Sequence, residues 1–400
     1  MKRFNYTAKD SNTGQKLKGS IQAENERAAG KLLLDRGLIP DRIVDDSSEN
    51  LVRKLTTKIT TKDRVVFTRQ FATLIGAGLP LSNSLRMISD QTTNKAMKAV
   101  TEDILASVEG GKSLSDAMSQ HPKVFDKVYL SLVAAGEVSG TLDESLRRIA
   151  MQQEKDAAMM SKIRGAMTYP AIVLVVIMLV VAFMMFTVVP QVQNLYEDLR
   201  QPLPALTAVM VGISVFFAQF WWLILIVLGI GVFFLSRFLQ TDAGISVAAN
   251  FKLNVPLFKG LFRRLYMARF ARTAQILLGS GVQMLDTLNI SGDAINNIVV
   301  KRSIDNAAEK VRGGKALSEG LAGQDYILPL VPQMISIGEQ SGRIDEMLSK
   351  AAQVFEDELD EQIRTISTLI EPILMVVLAV VAGGMIAAIL FPIYALVNMV

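Results

Sequence analysis

Few residues in this chain have the types and spacing that do chemistry. Gly110-Gly111-Lys112-Ser113 ends like a phosphate-binding loop, whose backbone N–H groups and lysine cradle phosphates. That loop needs a glycine where this chain has Ala106, and a strand ahead of it, where residues 104–108 read as helix. A second copy, Gly314-Lys315-Ala316, lacks the hydroxyl that would hold the nucleotide's metal. A helix-to-helix turn with Ser113 as N-cap accounts for the segment. His121 is the single histidine and there is no cysteine, so neither a zinc site nor a Ser-His-Asp triad of ordinary spacing is within reach. No catalytic residue, cofactor site or metal ligand is assigned.

Charged residues that recur in pairs are more informative. Gly136-Glu137-Val138-Ser139-Gly140 returns as Gly338-Glu339-Gln340-Ser341-Gly342, and each is followed by an aliphatic residue and Asp-Glu. Glycine ends one helix, and a short polar residue can start the next. Thr141 and Glu144 have capping-box spacing, although Arg343 replaces the threonine in the second copy. A cap does not itself require Glu137 and Glu339, so a structural turn and a partner-contacting glutamate both stand. Arg69 and Arg272 share a position on otherwise apolar helices, and a half-buried arginine needs a carboxylate. Glu137 and Glu339 are candidate partners within their own copies, with binding to another protein as the alternative. The acidic run from Glu356 to Glu361 has no equal in the first copy, where residues 154–159 stand. It reads as a solvated helix face whose asymmetry implies different neighbours for the two copies.

These pairs belong to one long repeat. Residues 67–190 and 270–392 run in parallel at an offset of 203, slipping to 202 after the Gly-Gly-Lys turn, which marks a duplicated domain. Each copy ends in an apolar run, after Pro170 in one and Pro372 in the other. Proline there reads as a helix start or kink, or as a hinge between bundle and bilayer. A bilayer span needs about 20 apolar residues. Three stretches qualify: 171–189, a region within 205–235 that narrows to about 216–235, and 373–395. Ala379, Gly383, Gly384 and Ala388 give the last one small-residue spacing for close helix packing.

The fold class expected is mainly α: two repeated cytoplasmic helical bundles of about six helices each, fused to three transmembrane helices, with a small N-terminal α/β module. Its parts are the module at 1–45, where Phe4, Tyr6 and Ala8 alternate against Leu17, Gly19 and Ile21, and a linker at 46–61. The first bundle follows at 62–169, the first span at 171–189, an external loop at 190–204 and the second span region at 205–235. A cytoplasmic linker at 236–263, the second bundle at 264–371 and the third span at 373–395 complete the chain. No apolar leader precedes residue 171, and Arg237, Lys252, Lys259, Arg263 and Arg264 follow the second span. Both bundles are therefore expected in the cytoplasm and the C-terminus outside. Half the residues are hydrophobic, the mean hydropathy is +0.33 and the net charge is +4, with the basic excess beside the membrane. Membrane lipid, rather than nucleic acid, is the expected partner of those cations.

The order Phe-x-Arg, Gly-x-Gly, Gly-Gly-Lys, Gly-Glu-x-Ser-Gly and Pro before a span, duplicated, closely resembles the GspF/PilC family. These are inner-membrane platform proteins of type II secretion systems and type IV pili. The N-terminal module joins the resemblance through Tyr6-x-Ala8, Gly14, Gly19 and Gly37-Leu38-Ile39-Pro40. The resemblance implies a non-enzymatic protein without cofactor that couples a cytoplasmic hexameric ATPase to assembly of prepilins or pseudopilins. Other inner-membrane assembly proteins and a homodimer or higher homo-oligomer are implied as well. Glu137, Glu339, Arg69 and Arg272 would then lie at ATPase-facing or domain–domain surfaces. The rival class is a small transporter or channel subunit. Its polar pathway residues are missing, because the spans hold little beyond Gln219 and the terminal Asn398.

Overall fold

Alternation of side chains, then helical periodicity, sets the order of elements. The computed structural model describes residues 2–10, 16–23, 26–34, 38–45, 58–198, 205–256 and 258–397. Strands β1 (Lys2–Asp10), β2 (Lys16–Ala23) and β3 (Leu38–Asp45) form an antiparallel sheet in the order β2-β1-β3, with helix α1 (Glu26–Leu34) before the third. Phe4 pairs with Ile21, Tyr6 with Gly19 and Ala8 with Leu17. Between Thr7 and Ala8 the register against β3 shifts by one residue. Gly14, Gly37 and most of the linker at 46–61 lie outside the described residues.

The chain divides into two compact units, residues 1–124 and 125–400, and the division falls inside the first repeat. In the first unit, α2 (Thr61–Gly76), α3 (Leu81–Gln91), α4 (Lys95–Glu109) and α5 (Leu114–Ser119) follow the sheet. Thr60 opens α2 with a capping box, its hydroxyl accepting from the Asp63 N–H while Asp63 accepts from the Thr60 N–H. Asn94 donates to the same carboxylate at 2.8 Å and caps α4 with its own Oδ1, which ties the starts of two helices together. Ser113 caps α5, accepting from the Asp116 N–H at 3.0 Å. The Gly-Gly-Lys-Ser segment is thus a turn between helices.

The second unit holds α6 (Lys127–Ser139) and α7 (Leu142–Phe183), which end the first repeat, together with the whole of the second. After α7 come a π-helical turn at Met184–Val188, α8 (Val189–Asp198), α9 (Ala205–Phe238) and α10 (Asp242–Asn254). The second repeat supplies α11 (Lys259–Gly279), α12 (Met284–Ala294), α13 (Ile298–Arg312), α14 (Leu317–Leu321), α15 (Leu330–Ser341) and α16 (Ile344–Val397). Its core buries Met267, Phe270, Ile304, Val331, Ile335 and Phe355. A second apolar cluster joins Leu261, Leu265, Leu359 and Ile366 to Met159, Ile163 and Met167 of α7. Those three residues recur every fourth position, so one stripe of a first-repeat helix packs on α11 and α16.

Three described helices are long and apolar enough to cross a membrane. Two of them begin inside the bundle. Pro170 lies within α7 and Pro372 within α16, and neither ends its helix. A proline in a membrane helix leaves one carbonyl four residues back unbonded, and neighbouring groups can satisfy such gaps. The helix also runs beyond Pro190 to Asp198, where the sequence suggests an external loop from residue 190. The π turn absorbs that proline, and the freed Met185 carbonyl accepts a hydrogen bond from the buried Ser214 hydroxyl of α9.

Asp293, at the end of α12, is held by two lysines at 2.7 Å, Lys127 of α6 and Lys301 of α13. Its burial would raise the carboxyl's pKa, but the hydrogen bonds from these lysines outweigh that and hold it below the usual carboxylate range. A carboxylate whose pKa is depressed by folding contributes stability above its unfolded pKa of about 3.9 and loses it as pH falls. Asp293→Asn is therefore expected to lower the melting temperature at pH 7, with variant and parent converging below about pH 4. A gap of the same size at both pH values would contradict that assignment.

Candidate functional site

The recurring Gly-Glu-x-Ser-Gly motif resolves into backbone geometry. A Cβ on Gly136 would come within 2.9 Å of the Ser145 Cβ and 3.1 Å of the Leu142 Cα. On Gly338 it would meet the Ile344 Cα at 2.7 Å. Only glycine lets the next helix begin that close. The closing glycines, Gly140 and Gly342, have φ of 71° and 72°, the left-handed cap that glycine adopts without strain. The Thr141 and Arg343 N–H groups then donate to the Gly136 and Gly338 carbonyls, each at 2.9 Å. Ser139 and Ser341 bond back to the carbonyls of Ala135 and Ile337. The capping box expected of Thr141 and Glu144 does not form. Thr141 makes no side-chain cap and instead meets the Ser139 hydroxyl, while Glu144 pairs with Arg148.

Glu339 has a structural task that its sequence position concealed. Its carboxylate accepts from the backbone N–H of Leu317 at 2.6 Å and of Ser318 at 3.3 Å, and from the Ser318 hydroxyl. Those are the first residues of α14, whose N-cap position is Ala316, which has no side-chain acceptor. Ser113 caps the matching helix α5 of the first repeat itself. A glutamate from α15 thus does at a distance what a serine does locally, and the negative charge suits a helix N-terminus.

Arg272 finds its carboxylate elsewhere than expected. It pairs with Glu356 of α16 at 2.8 Å, both side chains being about seven-eighths buried, and not with Glu339. Lys155 of α7 reaches the other oxygen of Glu356 at 3.1 Å. Lys162 of α7 bonds Asp360, and Arg264 of α11 bonds Glu358, both at 2.6 Å. The acidic run therefore receives cations from both repeats and is not simply a solvated face. Arg69, the counterpart of Arg272, is exposed, and Glu137 is half-buried.

One polar cluster went unread in the sequence. Asp126, Gln152, Gln153, Asp156, Arg269 and Thr273 line a cavity of about 90 Å³ among α6, α7 and α11. Burial pushes the Asp156 carboxyl up, with the Arg269 charge and a hydrogen bond from Gln152 opposing it. Asp156 lies well before the charge-free stretch that begins at residue 171. The Oε1 atoms of Gln152 and Gln153 and the Nε of Arg269 are buried without a partner. The available signal was two adjacent amides and an aspartate on the face of α7 that also carries Ile149. His121 bonds Asp103 at 2.8 Å and joins no second ligand, and no cluster suited to a metal occurs among the described residues.

Two substitutions separate structural from partner roles. Glu339→Ala is expected to destabilise the second unit by about 1–2 kcal/mol through loss of the cap, with Ala316→Ser recovering part of it. Leaving a buried charge unpaired costs about 3–5 kcal/mol, and because Arg272→Met leaves Glu356 with Lys155, it destabilises by less than that range. The double variant Arg272→Met, Glu356→Leu recovers much of the loss. Denaturant titration reads both, and additive losses in the double variant would remove the Arg272–Glu356 coupling.

Comparison with known proteins accounts for the whole repeat. The model of type II secretion system protein F matches residues 67–190 and again 270–392, and that of the same protein's N-terminal domain matches 1–44. The chain is 36% identical over 401 residues to the type IV pilus assembly protein PilC of Thermus thermophilus, covering 99% of this chain and 98% of that one. It is 32% identical over 405 residues to the type II secretion system protein F of Vibrio cholerae, covering 100% and 99%. With the PilC of Pseudomonas aeruginosa the identity is 36% over 344 residues, 86% of this chain and 92% of that one. Two matched copies, near-complete coverage by relatives and three apolar helices place the chain in the type II secretion system protein F family, a family of membrane proteins.

Proposed function

We propose that this chain is an inner-membrane platform protein of a type IV pilus or type II secretion machine, coupling a cytoplasmic hexameric ATPase to the assembly of pilins or pseudopilins. The observation that carries the reading is the continuity of α7 and α16. Each begins in a capped bundle turn, at Leu142 or Ile344, and runs unbroken past a proline into an apolar stretch. A helix of this kind is a stiff rod, so displacement at its bundle end is carried into the bilayer. With Pro170 and Pro372 inside the rods, the residues act as bends within a lever and not as breaks between two parts.

The bundles are assigned to the cytoplasm on the Lys/Arg excess after the second span, which leaves the C-terminus outside. The protein itself catalyses no reaction in this reading, so the energy comes from the ATPase. Arg272 and Glu339 shape the second unit from within. Arg69 is assigned to an ATPase-facing or domain–domain surface of the first unit, and Glu137, next in the chain to the 92%-exposed Val138, to one of the second. A homodimer or higher homo-oligomer would present two or more such surfaces to a hexameric partner.

Crosslinking in the native host followed by mass spectrometry of the attached proteins is expected to recover the ATPase together with prepilins. Recovery of neither, under conditions that capture other membrane complexes, overturns the platform role. Glu137→Lys is expected to abolish fibre or pseudopilus assembly while the protein still accumulates. Normal assembly by that variant removes Glu137 from the surface.

A further inference from the structure

We propose that the outward face of α10, centred on Phe251, rests in the lipid headgroup layer at the end of the second membrane helix. A 13-residue helix is about 20 Å long and ordinarily carries one apolar stripe. Helix α10 carries two. Ala249 and Leu253 form one, buried against the bundle, where the Ala249 carbonyl accepts from the Asn297 amide at 3.4 Å. Val247 and Phe251 lie on the opposite side, 58% and 69% exposed, with Ala248 and Val255 partly covered beside them. Lys252 and Asn254, both exposed, flank this second face. Exposed apolar side chains that stand together, rather than singly, are the pattern that marks a site of contact with protein or membrane.

The occupant follows from what α10 is attached to. The apolar window of α9 runs from Gln219 to Phe238, with Trp221 and Trp222 near one end and Arg237 near the other. Indole rings and arginine are residues that mark the two edges of a bilayer. Three residues separate α9 from α10, and their packing is close: a Cβ on Gly244 would lie 1.9 Å from the Phe238 carbonyl oxygen. The first turn of α10 therefore sits against the last turn of the span and begins at the bilayer's edge. Exposed cations at Arg237, Lys252 and Lys259 accompany the apolar strip, the pairing by which an interfacial helix meets anionic lipid. Seated in this way, α10 fixes the height of the second repeat's bundle above the membrane.

The absence of cysteine allows a direct test on the full chain. Val247→Cys and Phe251→Cys, each carrying a solvent-sensitive fluorophore, are reconstituted in vesicles of phosphatidylethanolamine and phosphatidylglycerol. Lys112→Cys serves as the water-exposed reference and Val227→Cys as the bilayer reference. Both α10 probes are expected to lose most of their emission to a nitroxide carried near the lipid headgroup, and to resist aqueous iodide. Quenching by iodide to the extent of the Lys112 reference overturns the proposal. Protection from both quenchers also overturns it, because protein, such as a second copy, then covers the face. Phe251→Glu is expected to restore iodide access at a probe on position 247 without altering the helical signal in circular dichroism. A 247 probe indifferent to that change overturns the seating.

Discussion

The second unit depends on where the carboxylate of Glu356 can be satisfied. It is largely buried on α16, so it needs positive charge from within the protein, and it receives it from Arg272 of α11 and Lys155 of α7. Those contacts hold three helices in one register. The cluster of Leu261, Leu265, Leu359 and Ile366 against Met159, Ile163 and Met167 then closes below them. Charge selects the pairing and apolar burial supplies most of the driving force, since ion pairs nearer the surface such as Lys162–Asp360 are each worth only about 0.2–1 kcal/mol.

The two copies also differ in how they meet the same local need. Where Ser113 caps its helix locally, the second copy has Ala316 and draws the cap from Glu339. The acidic run from Glu356 exists only where cations from both repeats converge. The same packing leaves a polar fault, with Asp156 and Arg269 in a small cavity beside unpartnered glutamine oxygens. Buried polar groups of this kind weaken an interface relative to an apolar one. A contact expected to move under load would tolerate that weakness better than a static core would.

Much was legible in advance because it is local. The repeat, the three apolar stretches, the Ser113 cap and the turn at Gly136–Gly140 all follow from short-range rules of helix termination and hydropathy. Arg69, Arg272, Glu137 and Glu339 were singled out by their types and recurrence. Their partners were not, because an ion pair between Arg272 and Glu356 spans 84 residues and no spacing rule reaches that far. Thr141 shows the opposite failure. Its spacing from Glu144 satisfied the capping pattern, but the tight glycine cap just before it turned the hydroxyl toward Ser139.

The sequence by itself determined the duplication, the helical class, the membrane stretches and the family, since each is written in periodicity or in ordered motifs. Only the tertiary structure decided that α6 and α7 pack with the second repeat, that Pro170 and Pro372 interrupt no helix while Pro190 is met by a π turn, and which carboxylate each cation takes. Those outcomes rest on competition among distant groups for burial and charge. Near Pro190 the chain stays helical with the Ser214 hydroxyl of a distant helix on the Met185 carbonyl, a contact not encoded in the residues adjacent to the proline.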